Sequence, residues 1–294
     1  MQISPKLVKY YKFMIIEVIG LIVLGAFVRA MDAGLACPDW PLCFGAVIPD
    51  FQIQVYLEFL HRVLAGIIAI ACFYLNYKII KNPKVSTSIK NICWLSWTIL
   101  LAQIIMGGLT VTLQLDSYIV AAHLMLAMLF LMSLLWIYFY ISDVQKNKVS
   151  VTTKLFSKLS FLVIFLQIFI GGLVASHYAA LVCTEFPLCH GKIAPTFSGI
   201  IGLQVIHRLW AYLVTLVILG FCFYVYKNSK KYMNILGDAK LLALFTVIQV
   251  FIGISNIIFK TPPLLTITHS LFAVLLLMTS WRIIYKLNHS TSVH

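Results

Sequence analysis

The chain has 294 residues, of which 62% are hydrophobic and only 11% charged, with a formal net charge of +13. Soluble domains carry about 25% charged residues, so this composition excludes an ordinary water-soluble fold and indicates a polytopic membrane protein. The positive excess reports topology and does not imply nucleic acid, because the basic residues cluster on alternate loops.

Eight apolar stretches are long enough to cross a hydrocarbon core of roughly 30 Å, which needs about 20 helical residues. In chain order the pattern predicts spans over 11–31, 56–80, 91–113, 118–141, 156–176, 202–226, 238–259 and 264–286. Lys6, Lys9 and Lys12 precede the first span, and Lys81, Lys84 and Lys90 follow the second. Lys146, Lys148 and Lys154 follow the fourth, and Lys227, Lys230, Lys231 and Lys240 follow the sixth. These loops and both termini are therefore expected in the cytoplasm, next to anionic lipid of the bilayer. The opposite side holds Lys192 and Lys260, with Arg29 at a span edge. The first apolar run lacks a small-residue cleavage site and reads as a span, not a signal peptide. With no Arg-rich transit segment, the expected location is a bacterial plasma membrane.

Shifted by 146 residues, the chain matches itself at Gly25, Pro41, Leu42, Gly45, Pro49, Arg62, Gln103 and Gly107, and at four cysteines and four histidines. His61 pairs with His207, His123 with His269, Cys37 with Cys183 and Cys43 with Cys189. A constant offset across loops and helices means two copies of one unit. The fold expected is an all-α integral membrane protein of eight transmembrane helices, arranged as two pseudo-symmetric four-helix bundles over 11–141 and 156–286. A cytoplasmic linker covers 142–155. Four spans per copy give both copies one orientation, related by an axis along the membrane normal.

The four histidines lie about five residues inside the external ends of the even-numbered spans, at a common depth of about 7 to 8 Å. Four polar rings repeated at one depth imply an occupant between them. Two imidazoles from facing helices can take both axial positions of a haem iron, and an apolar bundle suits the macrocycle, so one haem per bundle is the economical reading. A dinuclear metal site would want several carboxylates at spacings such as Glu-x-x-His, and only Glu58 fits. Arg62 and Arg208 follow the first histidine of each pair, about 100° round the helix, where haem propionates or lipid headgroups would meet them.

The copies differ at Glu58, whose counterpart is Gln204. Glu58 precedes His61 by three residues and shares its helix face. A carboxylate can move protons and an amide cannot, so the first copy is the expected reaction site and the second an electron-transfer or structural site. Asp39 and Glu185 match as acids in the external loops, with Asp39 expected in solvent, and Glu17 has no evident partner. Cys37 and Cys43, like Cys183 and Cys189, are spaced to close small disulfide rings in an oxidising compartment, with a redox-active dithiol or a metal site as alternatives. Cys72, Cys93 and Cys222 read as small packing residues. His177 and His190 read as exposed loop residues, with contact to a cofactor edge as the alternative, and His289 and His294 as tail. The Gln-x-x-x-Gly motifs at Gln103, Gln167 and Gln249 read first as helix packing sites, where glycine lets helices or a flat macrocycle approach closely and the glutamine can bond across an interface.

Glu58-Phe-Leu-His61-Arg62, His207-Arg208, His123, His269, the segment Gly34 to Cys43, and Cys183 to Cys189 followed by His190-Gly191 together resemble the haem A synthase family. The resemblance covers residues 11 to 286. It implies oxidation of the ring-D methyl group of haem O, through hydroxylated intermediates, to the formyl group of haem A. It also implies a haem B iron ligated by His207 and His269, the substrate haem between His61 and His123, a required glutamate at Glu58, and a functional link for the first-loop cysteines. Haem O synthase and terminal oxidase assembly factors become the expected partners, with a homo-oligomer left open. A di-haem electron carrier and a haem transporter are the rival readings. Both would hold haem without oxidising it.

Overall fold

The computed structural model describes residues 4–144 and 150–288; Lys146, Lys148, His289 and His294 lie outside the described residues. Eight long helices account for most of it: α1 Pro5–Ala30, α2 Ile53–Ile80, α3 Thr87–Thr112, α4 Ser117–Ile141, α5 Val151–Ser176, α6 Gly199–Lys227, α7 Met233–Ile258 and α8 Pro263–Leu287. All eight are long and apolar enough to cross a membrane. The chain is a multi-pass, all-helical membrane protein.

Most helices begin before the apolar stretches that announce them; α1 starts at Pro5 and α7 at Met233. A helix of 26 residues is about 39 Å long against a core of roughly 30 Å, so its ends run into the headgroup layer, where polar residues are tolerated. Local chemistry sets these ends. Pro5 and Pro263 occupy first-turn positions where no amide donor is needed. Asp116 caps α4 by accepting from the Tyr118 and Ile119 amides. At the far ends of α2 and α6, Lys78 lies over Tyr74 and Lys227 over Phe223, at 5.3 and 5.1 Å, anchoring the helices at an interface.

The chain divides after Asp143 into two compact units. In the first, α1 packs on α2 and α4 while α3 packs on the same two, closing a ring in which α2 and α4 face each other across the diagonal. The second unit repeats this with α5 and α7 each packed on α6 and α8. The histidine-bearing helices are thus the diagonal pair of each bundle. The backbone repeats too: left-handed φ values recur at Asp32 and Tyr178, Phe44 and His190, Gly45 and Gly191, Gln114 and Lys260, and Leu115 and Thr261. Most of these pairs differ in residue type, so the duplication persists in chain geometry where identity has been lost.

The bundle ends away from the histidines are pinned by different polar clusters. In the first unit the Tyr11 hydroxyl donates to Asn76 Oδ1 at 2.6 Å, and Asn76 Nδ2 donates to Ser96 Oγ at 2.6 Å. All three residues are fully buried, where an unpaired polar group costs about 1–3 kcal/mol. In the second, Thr153 and Tyr232 share a hydrogen bond of 2.7 Å between their hydroxyls. Asn76→Leu is expected to destabilise the first bundle by about 1–3 kcal/mol by stranding the Tyr11 hydroxyl, while Ser96 keeps its bond to the Cys93 carbonyl at 2.8 Å. Adding Tyr11→Phe should recover part of that loss, as read from thermal unfolding in detergent.

Candidate functional site

The four histidines lie on α2, α4, α6 and α8. His61 and His207 sit about 12 Å from the starts of their helices and His123 and His269 about 9 Å, deeper than hydropathy indicates because these helices begin before the apolar run. His61 is within electrostatic range of His123, and His207 of His269, across the bundle diagonals. Each ring rests on a glycine of the helix before it. A Cβ at Gly25 would stand 3.1 Å from His61 Nε2, and one at Gly107 3.2 Å from His123 Cε1. One at Gly171 would stand 3.1 Å from His207 Cε1, and one at Gly253 3.1 Å from His269 Cε1. A side chain there would crowd the ring, which would have to give way slightly.

Three rings are also held by the glutamine one turn from that glycine. Gln103 Nε2 lies 3.3 Å from His123 Nε2, Gln167 Nε2 3.3 Å from His207 Nδ1, and Gln249 Nε2 3.2 Å from His269 Nε2. The Gln-x-x-x-Gly motifs are therefore histidine seats, with the glycine and the amide serving one imidazole. The spacing contained this signal, but the partner is on the next helix and only the fold brings it into reach.

The glutamine takes one ring nitrogen and leaves the other without a protein partner: Nδ1 of His123 and Nδ1 of His269 are buried and unpaired. Among the described residues no group of three or more His, Cys, Asp or Glu could hold a metal ion. Two imidazoles per bundle suit an iron whose remaining ligands come from a macrocycle. The donor chemistry and the unpaired ring nitrogens thus fit haem.

Above each histidine pair lies a disulfide loop. Cys37–Cys43 and Cys183–Cys189 are both closed, each with a Cα separation of 4.8 Å. Inside each loop Cys43 pairs with Ala46, and Cys189 with Lys192, as two-residue hairpins whose central residues, Phe44-Gly45 and His190-Gly191, take positive φ. Phe44 and His190 are therefore equivalent turn residues. His190 Nε2 lies 3.1 Å from the Val182 carbonyl and His177 Nδ1 2.9 Å from that of Leu173, so both loop histidines have local partners. Trp40 packs on Gly108 of α3, where a Cβ would come within 3.2 Å of the indole.

Arg62 and Arg208 reach the rim of their bundles and grip these loops. Arg62 Nη1 donates to the carbonyls of Asp39 and Leu42, and its Nη2 to that of Cys37. Arg208 Nη1 donates to the carbonyls of Glu185 and Leu188 at 2.8 and 2.9 Å, and Nη2 to that of Cys183 at 2.6 Å. Sequence offered propionates or headgroups for these guanidinium groups; the structure adds loop carbonyls, contacts visible only once the disulfide folds the loop back. Arg208 Nε remains buried without a partner.

Glu58 is also drawn into this cap. It is buried, accepts the Cys37 amide through Oε2 at 2.8 Å and pairs with Arg62 through Oε1. Its counterpart Gln204 instead donates to the Ala180 carbonyl at 3.2 Å. Charge thus ties α2 to the first loop where a neutral amide ties α6 to the second.

Asp39 lies at the surface, as expected from sequence, and its carboxylate also accepts the Phe44 amide at 2.6 Å and the Gly45 amide at 2.8 Å. The Gly45 amide foremost, with the Phe44 amide and the nearby Arg62 charge, holds its carboxyl below the usual carboxylate range. Because the folded value is depressed, the contribution to loop order is complete above the ordinary carboxylate range and is lost as pH falls through the depressed value. Hydrogen exchange at the Phe44 and Gly45 amides should accelerate, relative to an Asp39→Asn variant and after correction for intrinsic exchange, only on that acid side.

The fold and site define a membrane protein of duplicated four-helix bundles with paired imidazoles beneath disulfide-closed loops. The chain belongs to the COX15-CtaA family of cytochrome oxidase assembly proteins, whose profile matches residues 9–281. Among its relatives, a protein of Shewanella oneidensis named heme A synthase is 28% identical, covering 92% of this chain and 94% of its own length. Proteins of the same name from Rickettsia canadensis and Shouchella clausii are 27% and 28% identical, covering 92% and 88% of this chain and 94% and 89% of their own lengths.

Proposed function

We propose that the chain acts as a haem A synthase, an oxidoreductase that converts the ring-D methyl group of haem O to the formyl group of haem A for terminal oxidases. The observation that carries this reading is the single carboxylate, Glu58, one turn from one imidazole of a duplicated set. A di-haem electron carrier has no use for that asymmetry. The near full-length similarity to proteins named heme A synthase supports the same reading.

In this reading His207 and His269 hold a haem B in the second bundle, and His61 and His123 bind the substrate haem O in the first. Bound haem supplies the redox chemistry, and the protein contributes ligation, orientation, exclusion of water and control of protons. The glycine seats fix the imidazoles, the apolar bundle walls cover the macrocycle, and Arg208 Nε, otherwise unpaired, is a donor for a propionate. Glu58 is the proton acceptor. Taking a proton cancels the charge that pairs with Arg62 and so weakens the tie between α2 and the first loop. Gln204 cannot do this.

The positive residues support a reading with the termini in the cytoplasm of a bacterium and the disulfide loops outside its plasma membrane. Haem O, with its hydrophobic tail, would arrive through the lipid or from haem O synthase, and haem A would pass to terminal oxidase assembly.

Glu58→Gln is expected to keep haem in both bundles yet stop haem A formation, whereas His207→Ala should lose mainly haem B. Extracting haems from each variant expressed with haem O, and separating them by mass, checks both. Undiminished haem A from Glu58→Gln refutes the acid's role; wild-type protein that holds two redox-active haems and never yields the formyl product is an electron carrier instead.

A further inference from the structure

Aligning the four histidine seats gives one exception. Gln103, Gln167 and Gln249 stand four residues before Gly107, Gly171 and Gly253, and each bonds its histidine. The residue four before Gly25 is Leu21, and His61 makes no hydrogen bond among the described residues. Leu21 is also the 146-residue counterpart of Gln167, as Glu58 is of Gln204. Both differences replace a glutamine of the second copy, and both fall beside His61.

The amide matters because a ligating imidazole must present a bare nitrogen, and a hydrogen bond to the other nitrogen decides which one that is. A glutamine can do this from either end of its amide. It donates Nε2 to a bare ring nitrogen, as here, or turns over and accepts the ring N–H with Oε1, which is buried and unpaired in Gln103, Gln167 and Gln249 alike. The accepting orientation leaves the opposite nitrogen free for iron, holds the ring against rotation and makes it a stronger base. Leucine can do none of this. His61 keeps its glycine seat and nothing that selects its tautomer or resists its swinging away.

We propose that the three glutamines make His123, His207 and His269 permanent axial ligands, while Leu21 makes His61 the exchangeable one. The exchangeable face of the first bundle then opens on the side of Glu58, where the acid can serve whatever small molecule replaces the imidazole. Fixed ligation on both sides, as in the second bundle, would hold a haem but close it to reaction. This inference rests on the proposed reading of the histidines as haem ligands and assigns positioning roles to Leu21 and Gln103.

Carbon monoxide tests it, because it binds ferrous haem only where an axial ligand gives way. In the purified full-length protein with haem in both bundles, carbon monoxide should bind one haem of the reduced wild type. Leu21→Gln should weaken that binding on the order of tenfold, the scale at which partners of metal ligands act, while both haems keep paired-imidazole spectra. Gln103→Leu should strengthen binding at the same haem by freeing the opposite ligand. An unchanged carbon monoxide affinity in either variant, with haem retained, overturns the proposal. If His61→Ala and His123→Ala both keep the wild-type spectra, the ligand reading itself fails, whatever Leu21→Gln does.

Discussion

An imidazole buried in an apolar bundle needs a partner for each ring nitrogen, because an unmet polar group there costs about 1–3 kcal/mol. Four such rings, on the diagonal helices of two bundles, set the terms for the rest of the molecule. The neighbouring helix must come close enough to orient the ring, which requires glycine at Gly25, Gly107, Gly171 and Gly253. One nitrogen can be met by glutamine from that helix. The nitrogen left over faces no protein group at His123 and His269.

The loops above the rings follow from the same need to close an apolar chamber. A loop of 22 residues between α1 and α2 would not order itself over the bundle from its own backbone contacts. Its disulfide and hairpin shorten it, and Arg62 gathers three of its carbonyls into one fork. Arg208 does the same for the second loop, so this architecture is shared by both copies. What differs is the group beneath: Glu58 ties the first loop through a charge that a proton can remove, and Gln204 ties the second through an amide that does not titrate.

Much of this could be read in one dimension. Apolar length gave eight spans, and the offset aligned His61 with His207 and His123 with His269, because burial and duplication both leave linear traces. The exception at Glu58 was equally legible. Contacts made by chain reversal were not. The loop partners of Arg62 and Asp39 were hidden, because those carbonyls and amides lie in a loop whose path depends on Cys37–Cys43 and the Phe44-Gly45 turn. Gln103 looked like helix packing because its histidine is 20 residues away, on the next helix. The helix starts were misjudged because hydropathy measures the lipid core, and helices such as α7 continue beyond it.

The central claim is that each bundle holds one haem iron between its two diagonal imidazoles. Electron paramagnetic resonance of the oxidised full-length protein tests it most directly, comparing the wild type with each histidine replaced singly by alanine. Two low-spin signals of paired-imidazole type are predicted, one altered only by His61→Ala or His123→Ala and the other only by His207→Ala or His269→Ala. A replacement in one bundle that alters both signals equally, or replacements on facing helices that alter neither, would contradict it.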